Sequence, residues 1–130
     1  MSRFFRIAPR LPAADLAKSC NFYTRVLGFS VGSTWPKESP YFALLARDDV
    51  IVQLVAAEPG QTESAGCATI SIDVDRAQQL ADELKQHVSI EWGPEVYWYG
   101  RREFAVKDPG GNLLIFSEET DDPPTCLDVG

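Results

Sequence analysis

The residues of this chain that could do chemistry are polar side chains in short β-rich runs. They supply an amide, two hydroxyls, two guanidinium groups and a carboxylate, and they are Arg6, Gln53, Thr69, Ser71, Arg101 and Glu103. Arg101 and Glu103 can pair with each other, or Arg101 can hold a carbonyl acid while Glu103 acts as general base. Arg6 and Asp73 form a second possible pair. The amide and hydroxyl groups can orient a small polar ligand through neutral hydrogen bonds.

Aromatic residues form two clusters that could bind a planar ligand. Trp35 and Tyr41 flank the loop WPKESP, and the second cluster contains Trp92, Tyr97, Trp98 and Tyr99. Aromatic faces stack on planar molecules and attract cations, at roughly 0.5–2 kcal/mol each. The same residues can instead pack in a core or a subunit interface. We predict that Trp35, Tyr41, Trp98 and Tyr99 bind ligand.

Residue types that bind metals or act as nucleophiles are sparse. The only histidine, His87, lies near the end of a predicted helix, where the helix dipole favours a protonated side chain. The three cysteines, Cys20, Cys67 and Cys126, are widely spaced and odd in number, which predicts reduced thiols rather than a disulfide framework or a zinc site. These residue types therefore do not by themselves form a cluster that could bind a metal or act as a nucleophile.

Composition and charge limit the class of protein. The 130 residues are 45 % hydrophobic and 24 % charged, which is typical of one globular domain. No apolar run approaches the ~20 residues that span a bilayer, and the N-terminus does not resemble a signal peptide. These features predict a cytoplasmic protein that does not bind membranes. The net charge of −7 argues against nucleic acid, which is bound through clustered Lys and Arg.

The elements that must position the candidate residues follow the order strand–helix–strand–strand–strand twice. In the first half the predicted strands are 4–8, 29–33, 41–46 and 50–57. In the second half they are 67–74, 88–92 with a possible extension through 96–99, 101–107 and 113–117. Asp15 and Asp75 are suited to cap the two helices at their N-termini, and Gly28 is suited to end the first helix.

Alternation along the predicted strands separates two faces of each sheet. One alternate set is apolar, as in Phe104 and Val106, and should pack on the helices. The other set is mixed and includes Gln53, Ser71 and Arg101. A mixed face is either a solvated sheet or the lining of a cup, and the regular repeat favours a curved sheet and hence the cup.

Two motifs in these elements resemble a known family. The segments IAPRLPAADLAKSCNFYTRVLGF (7–29) and YGRREFAVKDPGGN (99–112) are similar to the two signatures of the vicinal-oxygen-chelate superfamily. That superfamily includes glyoxalase I, bleomycin-resistance proteins and extradiol dioxygenases. The resemblance implies an α+β fold with two tandem βαβββ modules, a U-shaped cleft, and helices on the outer sheet face. It also implies a homodimer, often with modules exchanged between subunits.

The same resemblance suggests that the cleft holds no metal. Carried over residue by residue, the metal-ligand positions of the family's enzymes fall on Ala8, Gln53, Thr69 and Ile115, of which only Gln53 is a suitable ligand. A catalytic metal needs about three protein ligands, so the resemblance implies no metal ligand, no cofactor and no catalytic residue. The chain therefore most resembles the metal-free bleomycin-resistance branch, whose members bind a flat cationic drug and sequester it without transforming it.

These observations predict the organisation and the function together. We expect a single domain over 1–118, with module one at about 4–57 and module two at about 67–118, and a flexible acidic tail at 119–130. The leading hypothesis is a metal-free protein that sequesters a planar aromatic small molecule and confers antibiotic resistance. One alternative is a lyase, isomerase or oxygenase of the same fold with an atypical site. The other is a non-catalytic dimeric partner module.

Overall fold

A computed structural model describes residues 1–56 and 67–126. Its elements are β1 (Arg10–Ala13), α1 (Leu16–Arg25), β2 (Ser30–Trp35), β3 (Phe42–Arg47), β4 (Val50–Ala56), β5 (Thr69–Asp73), α2 (Ala77–Leu84), β6 (Ile90–Tyr97), β7 (Arg101–Lys107) and β8 (Leu113–Glu119). The chain divides into two compact units, Met1–Cys67 and Ala68–Gly130, which contain module one and module two. Neither described helix is long and apolar enough to cross a membrane.

Each module folds as the repeated element order predicts. Module one has the sheet order β1-β4-β3-β2, and module two has the matching order β5-β8-β7-β6. In both sheets the strand before the helix pairs in parallel with the last strand of the module, and the other pairs are antiparallel. The α+β fold with two βαβββ modules is confirmed.

Each helix packs on one face of its own sheet through an apolar stripe. Tyr23 of α1 is completely buried and meets the Phe29 ring edge-to-face at 5.5 Å. Ala77, Ala81 and Leu84 form the corresponding stripe on α2 and are buried. The apolar sets of β4, β7 and β8 are buried, whereas their neighbours in the same strands are mostly exposed or half-buried. Side chains alternate between faces in a strand, so the mixed set lies on the opposite side of each sheet.

The first strand is not where its sequence suggested. The run 4–8 was predicted to form it, but β1 is Arg10–Ala13 and contains Pro12. Because β1 is an edge strand of its sheet, the missing proline N–H does not break a ladder. The segment before β1 contains no strand and leaves Phe4, Phe5 and Ile7 at least 82 % exposed.

The two helices begin in different ways. Asp15 caps α1 as predicted, since its carboxylate accepts a hydrogen bond from the Lys18 amide at 3.1 Å. The corresponding prediction for Asp75 is wrong, because the N-cap residue of α2 is Arg76. The Glu118 carboxylate instead accepts from the amides of Arg76 and Ala77, at 3.0 and 3.1 Å. A residue at the end of β8 thus caps a helix that begins about 40 positions earlier.

A buried turn joins β7 to β8 and also fixes the start of β5. The Asp108 carboxylate accepts from the Gly110 amide at 2.9 Å and from the Asn112 amide and side chain at 2.9–3.2 Å. The Asn112 side-chain oxygen then accepts from the Ala68 amide at 2.8 Å. The Asp-Pro-Gly-Gly-Asn part of the second signature therefore has a structural role.

Candidate functional site

The face of the module-one sheet that points away from α1 is mostly apolar and aromatic. Strand register places four of its residues in one row: Pro12, Val55, Phe42 and Trp35. Trp35 is 61 % exposed, and its ring meets Tyr41 edge-to-face at 5.6 Å. Aromatic surface that the fold leaves in solvent is available to stack on a planar ligand.

Two polar residues, Arg10 and Gln53, lie beside this aromatic row. They are opposite each other on β1 and β4, and Arg10 Nε donates to Gln53 Oε1 at 2.8 Å. The guanidinium carbon of Arg10 lies 5.6 Å from the centroid of the Phe42 ring, within the range of a cation–π contact. Arg10 is therefore held by an amide and a ring while the residue remains exposed.

The equivalent row of module two is polar. It contains Asp73, Ser117, Glu103 and Glu95, in the order of their strands across the sheet. The two rows correspond because the strand orders match, and because Pro12 and Asp73 each lie three residues before the N-cap of their helix. Since the same positions of module one hold Pro12, Val55, Phe42 and Trp35, the fold does not require polar side chains here.

A continuous chain of hydrogen bonds joins the polar residues of module two. Arg101 Nη2 donates to Asp73 Oδ1 at 2.7 Å, and Arg101 Nε donates to the Ser117 hydroxyl. That hydroxyl donates to Glu103 Oε2 at 2.6 Å, and the Tyr99 hydroxyl donates to Glu103 Oε1. Glu103 is only 9 % exposed, and both of its oxygens accept from neutral hydroxyls. Its carboxylate is therefore a fixed, hydrogen-bonded negative charge on this face.

Two stacked tyrosines lie at the edge of this network. The centroids of the Tyr97 and Tyr99 rings are 5.7 Å apart, and the two rings are 9° from parallel. Burial raises the pKa of Tyr99 to about 12, with further contributions from the hydrogen bond to Glu103 and from its negative charge. Burial also raises the pKa of Tyr97, and Cys126 and Glu95 add to the rise.

We expect Tyr99 to ionise late in an alkaline titration followed at 295 nm. Its pKa rises from 10.0 to about 12, chiefly because burial disfavours the phenolate, and also because ionisation would break the hydrogen bond to Glu103 and place a second negative charge beside it. The folded state therefore holds a proton that the unfolded state loses, so this contribution to stability is present below pH 10 and is lost between about 10 and 12. Tyr99→Phe should remove the late phase, and Glu103→Gln should shift it to lower pH. A phase near pH 12 that keeps its full amplitude in Tyr99→Phe would contradict the assignment.

The C-terminal segment holds the last member of the polar row. The Thr125 hydroxyl donates to Glu95 Oε2 at 2.6 Å and accepts from the Val96 amide at 2.7 Å. Arg102 Nη2 also donates to Asp122 Oδ2 at 2.6 Å, which lowers the pKa of Asp122. Asp122 and Thr125 thus contact β7 and β6, and the flexibility predicted for the tail at 119–130 stays a prediction. Residues 127–130 lie outside the described residues.

The structure brings most of the predicted strand residues to the expected faces. Thr69 and Ser71 lie on the same face of module two as Arg101 and Glu103, and Gln53 lies on the corresponding face of module one. The two predicted charge pairs are replaced, because Arg101 pairs with Asp73 and Glu103 is held by hydroxyls. The roles of these five residues in ligand binding, those of Gln53, Thr69, Ser71, Arg101 and Glu103, stay a prediction.

Three other predicted residues lie outside the strand rows. Arg6 was placed on the mixed face of a first strand, but it is exposed in the segment before β1, so that placement is wrong. Tyr41 lies just before β3 and contacts Trp35. Trp98 lies in the turn after β6, is 63 % exposed, and meets the Tyr99 ring edge-to-face.

Sequence reasoning missed Arg10, Phe42 and Ser117. Arg10 and Phe42 were not assigned to the mixed face, because the first strand was placed too early and the third was not divided into faces. Ser117 was predicted as the last residue of the strand at 113–117, and nothing in its type showed that it would bridge Arg101 and Glu103. The alternation of Phe42, Leu44 and Ala46 with buried Ala43 and Leu45 is the signal that could have identified Phe42.

The residues at the metal-ligand positions of the resemblance do not fit a divalent metal. Register places Arg10, not Ala8, opposite Gln53, and Ser71, not Thr69, opposite Ile115. The one suitable oxygen, Gln53 Oε1, already accepts from a guanidinium group, whose positive charge would repel a cation. Residues 1–56 and 67–126 contain no group of three His, Cys, Asp or Glu that could hold a metal ion.

The chain contains two βαβββ modules with matching strand order, and in each module the helix covers only one face of the sheet. This architecture defines the class of protein, a tandem pair of βαβββ modules. The chain belongs to the Glyoxalase/Bleomycin resistance protein/Dioxygenase superfamily, which matches residues 3–116. A bleomycin resistance protein of Geobacillus stearothermophilus is 28 % identical over 128 residues, covering 85 % of this chain and 94 % of that protein. Bleomycin resistance proteins of Staphylococcus aureus match to the same extent.

Solved structures show the same fold. The bleomycin-binding protein of Streptomyces verticillus, complexed with copper(II)-bleomycin, has a TM-score of 0.71 and 25 % identity over 94 % of this chain and 100 % of that chain. TioX from Micromonospora sp. ML1 has a TM-score of 0.75 and 20 % identity over 89 % of this chain and 99 % of that chain. At that identity, the likeness to TioX supports the fold alone.

Proposed function

We propose that this protein binds a planar aromatic small molecule of the bleomycin type and sequesters it unchanged. The observation that carries the proposal is the chemistry of the sheet face that points away from the helix in each module. Module one offers exposed aromatic surface around Trp35 and Phe42. Module two offers stacked tyrosines beside the fixed carboxylate of Glu103. Small-molecule sites typically combine such aromatic walls with a few fixed polar groups.

The relatives support this ligand class. Two of the similar proteins are described as a bleomycin resistance protein and a bleomycin-binding protein. The net charge of −7 suits a ligand with positive charge, and the row of Asp73, Glu103 and Glu95 places some of that charge on the module-two face. We therefore propose antibiotic resistance by sequestration as the biological role.

The hydrogen bonds of Glu103 favour binding over catalysis. A general base must reach the proton that it removes, within about 3 Å or through one water molecule. Both oxygens of Glu103 already accept from Tyr99 and Ser117. We therefore propose that Glu103 orients and attracts a ligand rather than removing a proton from it.

We further propose that the protein acts as a cytoplasmic homodimer. The segment before β1 leaves Phe4, Phe5 and Ile7 at least 82 % exposed in the single chain. Apolar residues exposed so closely together are typical of surfaces that contact another protein. The U-shaped cleft implied by the resemblance stays part of this proposal. Light scattering of Phe4→Ser/Ile7→Ser against the unaltered protein checks the dimer, which the double substitution should weaken.

The direct test of the function is a binding titration. Metal-free bleomycin and copper(II)-bleomycin should each raise the melting temperature in a saturable way, since ligand at ~100 times its dissociation constant adds about 2.7 kcal/mol. The drug should be recovered chemically intact after incubation. Trp35→Ala should weaken binding by about three- to tenfold, as expected for one aromatic contact.

Matched variants separate binding from folding. Glu103→Gln removes a charge from the module-two face, whereas Glu83→Gln removes one from the exposed side of α2. Only the first should weaken drug binding. If neither metal-free bleomycin nor copper(II)-bleomycin binds, the proposed function is refuted. Recovery of a chemically altered drug after incubation would favour an enzyme.

A further inference from the structure

Arg10 has an unusual combination of restraint and exposure. Its Nε donates to Gln53 Oε1 at 2.8 Å, and its guanidinium carbon lies 5.6 Å from the Phe42 ring centroid. A guanidinium group has five N–H donors, so four remain after the bond to Gln53. The residue is exposed, and these donors therefore lie in a fixed position at the surface of the module-one face.

The charge of Arg10 is not neutralised within the part of the chain that the structure describes. The ion pairs found in residues 1–56 and 67–126 do not include Arg10. Its only described hydrogen-bond acceptor is the neutral amide of Gln53. Among the described residues, the guanidinium group is thus positioned without a carboxylate partner.

Arg101 on module two provides an internal comparison. Its guanidinium group donates to Asp73 at 2.7 Å, to the Ser117 hydroxyl and to the Ser117 carbonyl at 3.3 Å. Its charge is balanced by Asp73, and its donors are directed at the protein itself. Arg101 therefore serves the hydrogen-bonded network, whereas the restraints on Arg10 leave most of its donors for another molecule.

Stability does not account for this arrangement. An exposed polar pair contributes little to folding, and the rest of the row beside it is apolar. A guanidinium group packed on a ring is planar and keeps a second face for stacking. Arg10 therefore combines a flat surface with directed donors, and both features suit the edge of a conjugated ring that carries oxygen acceptors.

We propose that Arg10 is a ligand-recognition residue, which binds carbonyl or carboxylate oxygens attached to a planar ring, and that Gln53 is its positioning residue. The proposal rests on the proposed function for the identity of the natural ligand. The guanidinium group lies over the ring of Phe42. Trp35 pairs with Phe42 across β2 and β3 and extends the aromatic surface beside that ring.

The experiment compares four variants by calorimetric titration with copper(II)-bleomycin. Arg10→Met keeps the apolar stem and should weaken binding by about tenfold, as expected for loss of a charged hydrogen bond. Arg10→Lys should restore only part of the affinity, because an ammonium group cannot both stack and donate in a plane. Gln53→Leu should weaken binding by about threefold, and in the Gln53→Leu background Arg10→Lys should bind no better than Arg10→Met. Arg25→Met, at the exposed end of α1, is the matched control and should leave binding unchanged.

A second probe keeps the test independent of bleomycin. The planar carboxylate 2-naphthoate should stabilise the unaltered protein and Arg25→Met but not Arg10→Met, and the neutral 2-naphthalenemethanol should show no such dependence on Arg10. If the unaltered protein binds copper(II)-bleomycin and Arg10→Met binds it equally well, the inference is wrong and the proposed function stands. If the drug does not bind, the proposed function fails, and Arg10 is judged by 2-naphthoate alone. Equal stabilisation of all variants by 2-naphthoate, or of none, then refutes the inference.

Discussion

Replacing Gly93 by alanine should destabilise the protein by at least about 3 kcal/mol, a large part of the 5–15 kcal/mol typical of a domain. Gly93 lies in β6 at a φ of +78°, within the register shift between Trp92 and Glu95 in the pairing of β6 with β7. A Cβ atom there would lie 2.3 Å from the Glu103 carbonyl oxygen and 2.9 Å from the Phe104 Cα. Both are backbone atoms, so β6 and β7 would have to separate. Thermal or urea unfolding measures the loss.

Gly100→Ala is the matched control for this prediction. Gly100 has nearly the same φ, +81°, but the nearest atom to a Cβ there, the Thr120 carbonyl oxygen, is 3.7 Å away. This variant experiences only the strain of the left-handed conformation, about 1–2 kcal/mol. A larger loss for Gly93→Ala therefore measures the backbone contact. Equal losses would show that β7 does not constrain β6 at this point.

The irregularity at Gly93 also affects the module-two face that we propose binds the drug. It shifts the register between Trp92 and Glu95, so that Glu95 pairs with Glu103 on β7. The position of Glu95 on the module-two face therefore depends on this register shift. If Gly93→Ala folds at low temperature, its drug affinity should fall along with its stability, because Glu95 would be displaced.

Asn112→Ala should cost about 3 kcal/mol, the second large effect on stability. Asn112 is completely buried, and its side chain connects the Asp108 carboxylate to the Ala68 amide. Truncation would remove both bonds and leave the amide without this acceptor, and an unsatisfied buried group costs about 1–3 kcal/mol. The start of β5 should then open locally. Urea unfolding and amide hydrogen exchange at Ala68 measure the two effects.

Asn21→Ala is the control for the asparagine substitution. Asn21 is exposed on α1, where a surface change is expected to lie within about ±0.5 kcal/mol. Asn112→Ala should also leave the module-one face and its aromatic contacts intact, since Asn112 belongs to the other unit. An Asn112→Ala protein as stable as Asn21→Ala would show that the turn does not anchor β5.

Local patterns predicted most of the elements because their physical causes are local. The strand at RREFAVK was predicted at 101–107 and is Arg101–Lys107, since alternation and flanking turns define it without long-range contacts. Asp15 was identified as a cap because a capping carboxylate bonds to an amide only three residues away. The same reasoning failed for Asp75, whose role is taken by Glu118 from another strand.

The position of the first strand depended on pairing rather than on composition. FFRIA has the higher β propensity, yet the chain forms β1 at RLPA. Parallel pairing with β4 sets its register, so that Arg10 lies opposite Gln53 and Pro12 opposite Val55. The correction places Arg10, rather than Arg6, on the module-one face, and it changes the predicted site accordingly.

The sequence by itself determined the repeated element order and the family resemblance, because both rest on local patterns and motifs. It also determined the apolar face of each sheet, because side chains alternate with a period of two wherever a strand forms. Only the tertiary structure decided which residues of the mixed faces meet. Arg101 with Asp73, Ser117 with Glu103, and Arg10 with Gln53 each join different strands. Their contacts depend on strand order and register, which long-range backbone hydrogen bonds set and which no local pattern encodes.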